Sequence, residues 1–202
     1  MFCLNMGGGL GYLLRKRMLA PLFKSCGKSL ILGKGIVLRK PGNIEIGDNV
    51  AIDDYVMLDC YRDATPALTI GDDVVISNSC IIQAKIGSLE IGDHCDIGTH
   101  TIITSIGGIQ LAPSVLIGGN CYIGGARYHF EDLDTPIMDQ GVYSHGSILI
   151  GEGTWIGASV TIIDGVSIGK GCVIGAGALV TADIPDFGVA VGVPAKVIRY
   201  RE

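Results

Sequence analysis

The chain has 202 residues, of which 48% are hydrophobic, 17% are charged and 31 are glycine. One repeat runs through most of this length, so a single domain is predicted, and sparse charge with abundant glycine is typical of buried faces joined by tight corners. The formal net charge of −5 argues against nucleic acid as a partner. No secretory signal precedes the basic residues at 15–17 and no apolar run approaches membrane-spanning length, so neither export nor a transmembrane segment is expected.

Residues 10–23 (LGYLLRKRMLAPLF) predict a short amphipathic helix that ends near Pro21. Its simplest role is to cover the open edge of the first repeat, which would otherwise pair with another chain. A second interpretation is contact with an anionic membrane surface. The segment 1–45 is therefore interpreted as an N-terminal helical cap and lead-in.

A six-residue recurrence of Ile, Leu or Val starts at Ile46 and continues to Val180. A period of six fits neither a helix nor a simple strand, but it fits three short flat faces per turn of a solenoid. The sequence therefore predicts an all-β fold of about six triangular coils over 46–185. The eighteen recurrent positions are Ile46, Ile52, Leu58, Ile70, Ile76, Ile82, Ile91, Ile97, Ile103, Leu111, Ile117, Ile123, Ile150, Ile156, Ile162, Ile168, Ile174 and Val180.

A second inward position is expected four residues after the aliphatic one on the first two faces of each coil, where it is always occupied by a small residue. Four of the seven cysteines fall there, namely Cys80, Cys95, Cys121 and Cys172. Cysteine in such a slot behaves as a compact hydrophobe, and no CxxC pair suggests a metal or a redox site. This use of cysteine indicates a reducing cytoplasm.

The insertions between repeats all follow the third face, because the coils begin at 46, 70, 91, 111, 150 and 168. All loops are therefore expected to leave one edge of the prism. The longest loop, 128–147, follows the fourth coil. Residues 186–202 leave the repeat and are expected to wrap back over the last coils as a C-terminal tail.

The chain from about 30 to 200 resembles the hexapeptide-repeat acyltransferases. The stretch IGEGTWIGASVTIIDGVSIGKGCVIGAGALVTADIPDFGVAVGVPAKVIR (150–199) is similar to the maltose, galactoside and xenobiotic O-acetyltransferases, and the loop YHFEDLDTPIMDQG (128–141) is similar to the polysaccharide and lipopolysaccharide O-acetyltransferases. The resemblance implies a left-handed parallel β-helix and a homotrimer with sites between subunits. It also implies transfer of an acetyl group from acetyl-CoA to a hydroxyl of a sugar or glycan intermediate.

Such a transfer needs a base that works near neutral pH, and histidine is the natural choice. His129 is the candidate base because it stands where the fourth predicted coil breaks off into the long loop. Glu131, Asp132 or Asp134 would orient its ring, and the sequence does not choose among them. A gapless match places the family's usual histidine at Tyr128, one residue earlier. His145, which closes the same loop, either faces the mouth of the site or is a surface residue.

The resemblance also implies the remaining site residues. Trp155, in an outward slot, would line the acceptor pocket together with Tyr128, Asp132, Asp134 and His145. The backbone at Gly157, Ala158, Gly175 and Ala176 would hold the pantetheine arm of coenzyme A. Thr181, Lys196 and Arg199 match positions near the adenosine phosphates, whereas Ala182 stands where a lysine is common.

Three alternatives remain open at this point. In the first, the acceptor is a sugar or glycan hydroxyl. In the second, it is serine, a sugar amine or a drug hydroxyl. In the third, the chain is a noncatalytic scaffold. The zinc-dependent carbonic anhydrases of this fold are disfavoured, since His94 and His100 fall on different outward faces and cannot chelate one ion within a coil. No metal is therefore expected. Direct transfer is the simpler mechanism because the obvious thiol nucleophiles point into the core.

Overall fold

Three parallel β-sheets form the walls of a solenoid in the computed structural model, which describes residues 5–61 and 67–202. Residues 1–4 of the predicted lead-in and 62–66 of the first predicted insertion lie outside the described residues. One α-helix, α1 (Gly8–Leu19), precedes the sheets, and 3₁₀ turns follow at Ala20–Leu22, Pro41–Asn43 and Ile137–Asp139. The predicted all-β solenoid of stacked coils with a short N-terminal helix is thereby confirmed.

Each coil contributes one strand to each wall. Wall A consists of β1 (Ser25–Cys26), β4 (Ile44–Ile46), β7 (Leu68–Ile70), β10 (Leu89–Ile91), β13 (Ile109–Leu111), β18 (Ile148–Ile150) and β21 (Ser167–Ile168). Wall B consists of β2 (Ile31–Leu32), β5 (Ala51–Ile52), β8 (Val75–Ile76), β11 (Asp96–Ile97), β14 (Leu116–Ile117), β19 (Trp155–Ile156), β22 (Val173–Ile174), β24 (Gly188–Val191) and β25 (Lys196–Tyr200). Wall C consists of β3 (Val37–Arg39), β6 (Met57–Cys60), β9 (Ile81–Ala84), β12 (Ile102–Ser105), β15 (Tyr122–Gly124), β20 (Thr161–Ile162) and β23 (Leu179–Val180).

The solenoid has seven coils where the sequence predicted about six. The additional coil comprises β1, β2 and β3, inside the segment that was assigned to the lead-in. Its inward residues keep the spacing of six, since Cys26, Leu32 and Leu38 stack on Ile46, Ile52 and Leu58. The aliphatic recurrence missed this coil because its first position is a cysteine, and a cysteine there packs as a small apolar residue.

The core is a continuous column of the recurrent aliphatic side chains. All eighteen are buried, none being more than 4% exposed, and the predicted small residues behind them are buried as well. Parallel pairing holds the coils in register, so that Ile46, Ile70 and Ile91 lie directly above one another. Burial of each such side chain stabilises the stack by about 1.5–3 kcal/mol before the cost of ordering the chain.

Helix α1 covers the open end of the first coil, as predicted. Its inward side carries Gly11 and Arg15, and the Arg15 Nε donates to the carbonyl oxygen of Leu32 at 2.8 Å. The arginine thereby satisfies an acceptor at the open edge of β2. Because this polar contact occupies the inward side, Leu10 and Leu13 point outward and are 59% and 68% exposed.

The C-terminal tail folds back over the last coils, as predicted. Strand β24 extends wall B by pairing with β22, and β25 returns antiparallel to β24. The N–H of Ala195 donates to the carbonyl of Leu179 at 2.7 Å, which ties the intervening turn to the last strand of wall C. Within residues 5–61 and 67–202, no helix is long and apolar enough to span a membrane.

Candidate active site

The longest insertion leaves the solenoid after β15 and forms a hairpin at its base. Strand β16 (Arg127–Tyr128) pairs antiparallel with β17 (Val142–Tyr143), with Arg127 opposite Tyr143 and Tyr128 opposite Val142. The N–H of His129 continues this ladder to the carbonyl of Gly141 at 3.2 Å. The predicted loop therefore begins and ends as a two-stranded ribbon.

A buried carboxylate of the sixth coil fastens the hairpin to the solenoid. Asp164 accepts hydrogen bonds from the Arg127 Nε at 2.9 Å and from the backbone N–H of His145 at 2.6 Å, and so it holds both strands of the ribbon. Burial by itself would raise the pKa of Asp164. The hydrogen bonds from His145 and Arg127 outweigh burial and hold the pKa of this carboxyl below its ordinary value.

Sequence reasoning missed both Arg127 and Asp164, although one signal was present. Asp164 stands two residues after the aliphatic residue of the third face, the position that Cys60, Ala84 and Ser105 occupy in other coils, where they are buried. A charged residue in a slot that is otherwise small and buried needs a partner. That partner could not be named from the sequence, since Arg127 lies 37 residues away.

Three aromatic rings stack along one side of the hairpin. The ring centroids of His129 and Tyr143 lie 4.5 Å apart with an interplanar angle of 29°, and those of Tyr143 and His145 lie 5.4 Å apart at 36°. The structure thus brings together the two histidines predicted for the site, with Tyr143 between them. Tyr143 was not predicted.

Tyr128 belongs to the other side of the ribbon. Successive strand residues point to opposite faces, so Tyr128 and Val142 lie opposite the side that carries His129 and Tyr143. The predicted acceptor pocket contains both Tyr128 and His145, and the hairpin separates them. The family's usual histidine position, 128, and the histidine of this chain, 129, therefore lie on opposite faces of the hairpin.

The carboxylates of the loop differ in their relation to His129. The Oε2 of Glu131 lies 3.9 Å from the Nδ1 of His129, which is an ion-pair distance but too long for a hydrogen bond. Asp132 accepts from the hydroxyl of Thr135 at 2.7 Å and from the N–H of Asp134 at 2.9 Å, and these bonds lower its pKa. Asp132 thus stabilises the turn that contains Asp134 and Thr135. Of the two carboxylates, Glu131 is the one next to the ring of His129.

The residues predicted to hold the pantetheine arm, Gly157, Ala158, Gly175 and Ala176, lie on the corner that follows wall B, next to Trp155. Trp155 is outward and 53% exposed, as predicted, and is in register with Leu116 and Val173. Ala158 and Ala176 are exposed on successive coils, and the N–H of Gly177 donates to the carbonyl of Ala158 at 2.9 Å.

The backbone N–H groups at this corner divide into engaged and unengaged ones. Those of Gly157 and Gly175 donate along the ladder, to the carbonyls of Ile174 and Ala190. Those of Ala158 and Ala176 donate to no acceptor in the described part of the chain. Two backbone donors without a partner are therefore left on successive coils, about 4.8 Å apart by strand spacing.

Close backbone packing keeps this corner flat. A Cβ on Gly118 would lie 2.6 Å from the nitrogen of Ala158, and a Cβ on Gly157 would lie 2.7 Å from the nitrogen of Ala176. Only glycine allows the coils to approach in this way. A thin ligand could consequently lie directly against the backbone here.

The last three predicted residues are exposed at the C-terminal end of the stack. Thr181 follows the final strand of wall C, and Lys196 and Arg199 lie on β25. Along the solenoid axis the order is the hairpin after the fifth coil, Ala158 on the sixth, Ala176 on the seventh, and then this basic tail. Over 5–61 and 67–202, no group of three or more His, Cys, Asp or Glu side chains is placed to hold a metal ion.

Comparisons with known proteins agree with this architecture. The family model for the bacterial transferase hexapeptide (six repeats) matches residues 147–182. A probable acetyltransferase of Mycobacterium tuberculosis is 40% identical over 142 residues, which cover 69% of this chain and 47% of that protein. A putative lipopolysaccharide biosynthesis O-acetyl transferase of Escherichia coli is 29% identical over 119 residues, which cover 56% of this chain and 61% of that protein. The chain spans about half the length of the first curated relatives it matches.

Among solved structures, a point mutant of the N-acyltransferase AntD from Bacillus cereus, in complex with dTDP and coenzyme A, superposes with a TM-score of 0.64 at 24% identity. The superposition covers 94% of this chain and 89% of that one, and it shows the shared fold. The six-residue recurrence, the three-walled solenoid that it builds and these matches together show that the chain carries the bacterial transferase hexapeptide repeat.

Proposed function

We propose that the chain is an acetyltransferase that moves an acetyl group from acetyl-CoA to a hydroxyl of a sugar or glycan intermediate, with His129 as the general base. One observation carries the proposal. Asp164 ties the hairpin bearing His129 to the sixth coil, the same coil that presents Trp155 and the unengaged N–H of Ala158. The hairpin leaves the edge after wall C, whereas Trp155 and Ala158 lie on wall B and at the corner after it, so the base of one copy would meet the aromatic wall and the backbone donor of a neighbouring copy.

In the proposed reaction, His129 takes the proton of the acceptor hydroxyl while its oxygen attacks the carbonyl carbon of the thioester. The N–H of Ala158 donates to the oxyanion that forms. The C–S bond then breaks, the acetyl group remains on the acceptor oxygen, and the thiolate of coenzyme A takes the proton back from the histidine. Tyr143 holds the imidazole plane from one side, and Glu131 stabilises the imidazolium.

The remaining predicted residues fit around this centre. The N–H of Ala176 would receive a carbonyl of the pantetheine arm one coil further on, and Thr181, Lys196 and Arg199 would meet the phosphates at the end of the stack. A covalent acyl-cysteine is disfavoured, because burial raises the pKa of the Cys80 thiol to about 11 and so suppresses the thiolate. Buried unpaired cysteines also suit a reducing cytoplasm.

A homotrimer belongs to the same proposal. Wall B presents an outward column with Ile31, Val75, Leu116 and Trp155, all exposed and interrupted by Asp96 between Val75 and Leu116, and wall C presents Val37 and Tyr122. The outward column of wall A is more polar, with Glu45, Thr69, Glu90 and Gln110 in register. Packing wall B of one copy against wall C of the next would bury both apolar columns in a closed ring. The site would then lie between copies.

The names of two similar proteins support different acceptors. The E. coli relative is named an O-acetyl transferase, whereas AntD is an N-acyltransferase, and AntD supports the fold alone. An amine acceptor, serine or a drug hydroxyl is therefore tested beside sugars. The assay follows release of the coenzyme A thiol from acetyl-CoA with nucleotide sugars, free glycans and their amino analogues.

The deciding variant is His129→Ala, with the exposed His94→Ala as matched control. His129→Ala is expected to lower turnover by about 10²–10⁴-fold while the melting temperature still rises on addition of coenzyme A. His94→Ala is expected to leave both properties unchanged. If coenzyme A stabilises neither the wild type nor the variants, the chain is a scaffold. Normal turnover by His129→Ala would place the base elsewhere.

A further inference from the structure

The N-terminal end of the solenoid differs in charge from the rest of the molecule. Eight of the 15 basic residues lie in residues 1–40, a segment that contains no Asp or Glu. The other 162 residues contain seven basic and 20 acidic residues, a formal charge of −13. The solenoid is thus polarised along its axis, with a cationic end at the first coil and α1.

Only some of these basic side chains are matched by acids. Lys24, Lys34 and Arg39 form ion pairs with Glu45, Asp54 and Asp59 of the next coil, at 2.8, 3.5 and 3.4 Å. By contrast, Lys16, Arg17 and Lys28 form no ion pair with a carboxylate in the described ranges. Two of these three uncompensated cations belong to α1.

The same helix exposes aliphatic side chains beside those cations. Leu10, Leu13 and Arg17 follow one another at i, i+3 and i+7 and therefore share the outward face. Leu13, Lys16, Arg17, Ala20 and Pro21 line one shallow depression, and Met18 and Leu22 are also exposed. Since Arg15 occupies the inward side, this arrangement is a consequence of how the helix caps the coil.

We propose that this end surface, formed by Leu10, Leu13, Lys16, Arg17 and Leu22, docks the protein on an anionic lipid bilayer. The exposed leucines would insert below the headgroups, and the neighbouring basic side chains would meet the anionic headgroups. The negative body of the solenoid would be repelled, so the molecule would stand on its first coil. Nucleic acid fits this surface less well, because a phosphate backbone provides no apolar environment in which the exposed leucines could be buried.

The test is co-sedimentation of the full chain with vesicles. Binding is expected to vesicles of phosphatidylcholine and phosphatidylserine at about two to one, and not to phosphatidylcholine alone. Each basic residue near such a surface contributes about fivefold in affinity. The double variant Leu13→Ser/Arg17→Glu should therefore lose binding by more than tenfold, and raised salt should weaken the wild type.

The matched control is Leu149→Ser/Lys170→Glu, which removes an exposed leucine and a cation at the far end of the stack. It should bind vesicles like the wild type. Melting temperatures equal to that of the wild type would show that both variants are folded. If the variant in α1 has a lower melting temperature, the single variant Arg17→Glu is used in its place. The proposal is overturned if phosphatidylserine vesicles are not bound, or if both variants bind equally. It is also overturned if α1 instead mediates self-association or duplex DNA binding that the α1 variant abolishes.

Discussion

His129 and Tyr143 stack face to face across the base of the hairpin, with ring centroids 4.5 Å apart. Tyr143 is paired with Arg127 on the opposite strand, and Arg127 is held by Asp164 of the sixth coil. The position of the imidazole is thus determined by a chain of contacts that ends in the solenoid. Each link of this chain can be tested separately.

The first prediction concerns the ring of Tyr143. Tyr143→Phe keeps the stack and is expected to retain most of the turnover. Tyr143→Ala removes it and is expected to lower kcat by about tenfold to a hundredfold, because a displaced base loses its alignment with the acceptor. KM for acetyl-CoA should change little. Equal rates for the Phe and Ala variants would show that the stack does not position His129.

The second prediction uses the alternation along β16. Tyr128→His in combination with His129→Ala moves the imidazole to the family's usual position in the sequence. Because residue 128 lies on the other side of the hairpin from Tyr143, this double variant is expected to remain inactive in the thiol-release assay. Recovered turnover would mean that the acceptor binds on the side of Tyr128.

The third prediction concerns Asp164. Asp164→Ala leaves the guanidinium of Arg127 and the N–H of His145 without their acceptor, and is expected to destabilise the protein by about 3 kcal/mol. The pKa of Asp164 is lowered in the folded state, so its contribution is complete above the unfolded value of about 3.9 and disappears as pH falls below that value.

The measurement is the difference in melting temperature between wild type and Asp164→Ala as a function of pH. A constant difference above about pH 5 that shrinks below about pH 4 is expected. Asp183→Ala, which removes an exposed carboxylate that accepts from the N–H of Ser167, is the matched control and should have a smaller effect. A difference that grows as the pH falls would contradict this assignment.

The fourth prediction concerns the apolar column of wall B. Leu116→Glu places a second negative charge beside Asp96 and is expected to convert the proposed trimer to monomers, as measured by sedimentation velocity. Leu149→Glu, an equally exposed leucine on wall A, is the control and should leave the mass unchanged. Monomeric wild-type protein would contradict the proposed ring.

The fifth prediction concerns the buried thiols. Burial, together with the charge of Asp59, raises the pKa of Cys60 to about 12, and burial raises that of Cys80 to about 11. Between about pH 8.5 and 11 the unfolded chain releases protons that the folded chain keeps, so stability should fall as pH rises through that window. Urea denaturation should show a shallower fall for Cys60→Ala. An unchanged slope would contradict the assignment.

The sequence predicted most of the fold because burial in a solenoid is a local property. Every sixth residue turns inward whatever its neighbours are, so aliphatic spacing alone located six coils and the edge from which the loops leave. The first coil was not predicted, because Cys26 replaces the aliphatic residue at its first inward position. The contact by which α1 covers the first coil was not predicted, because Arg15 and the carbonyl of Leu32 lie 17 residues apart in the chain.

The sequence by itself determined the repeat, the core and the residue types available for chemistry. Only the tertiary structure decided which side of the hairpin carries His129, which carboxylate lies at its ring and how the hairpin is fastened. These properties depend on pairs far apart in the chain, such as Arg127 with Asp164. Contacts of that kind arise when coils stack and strands pair, and no spacing along the chain encodes them.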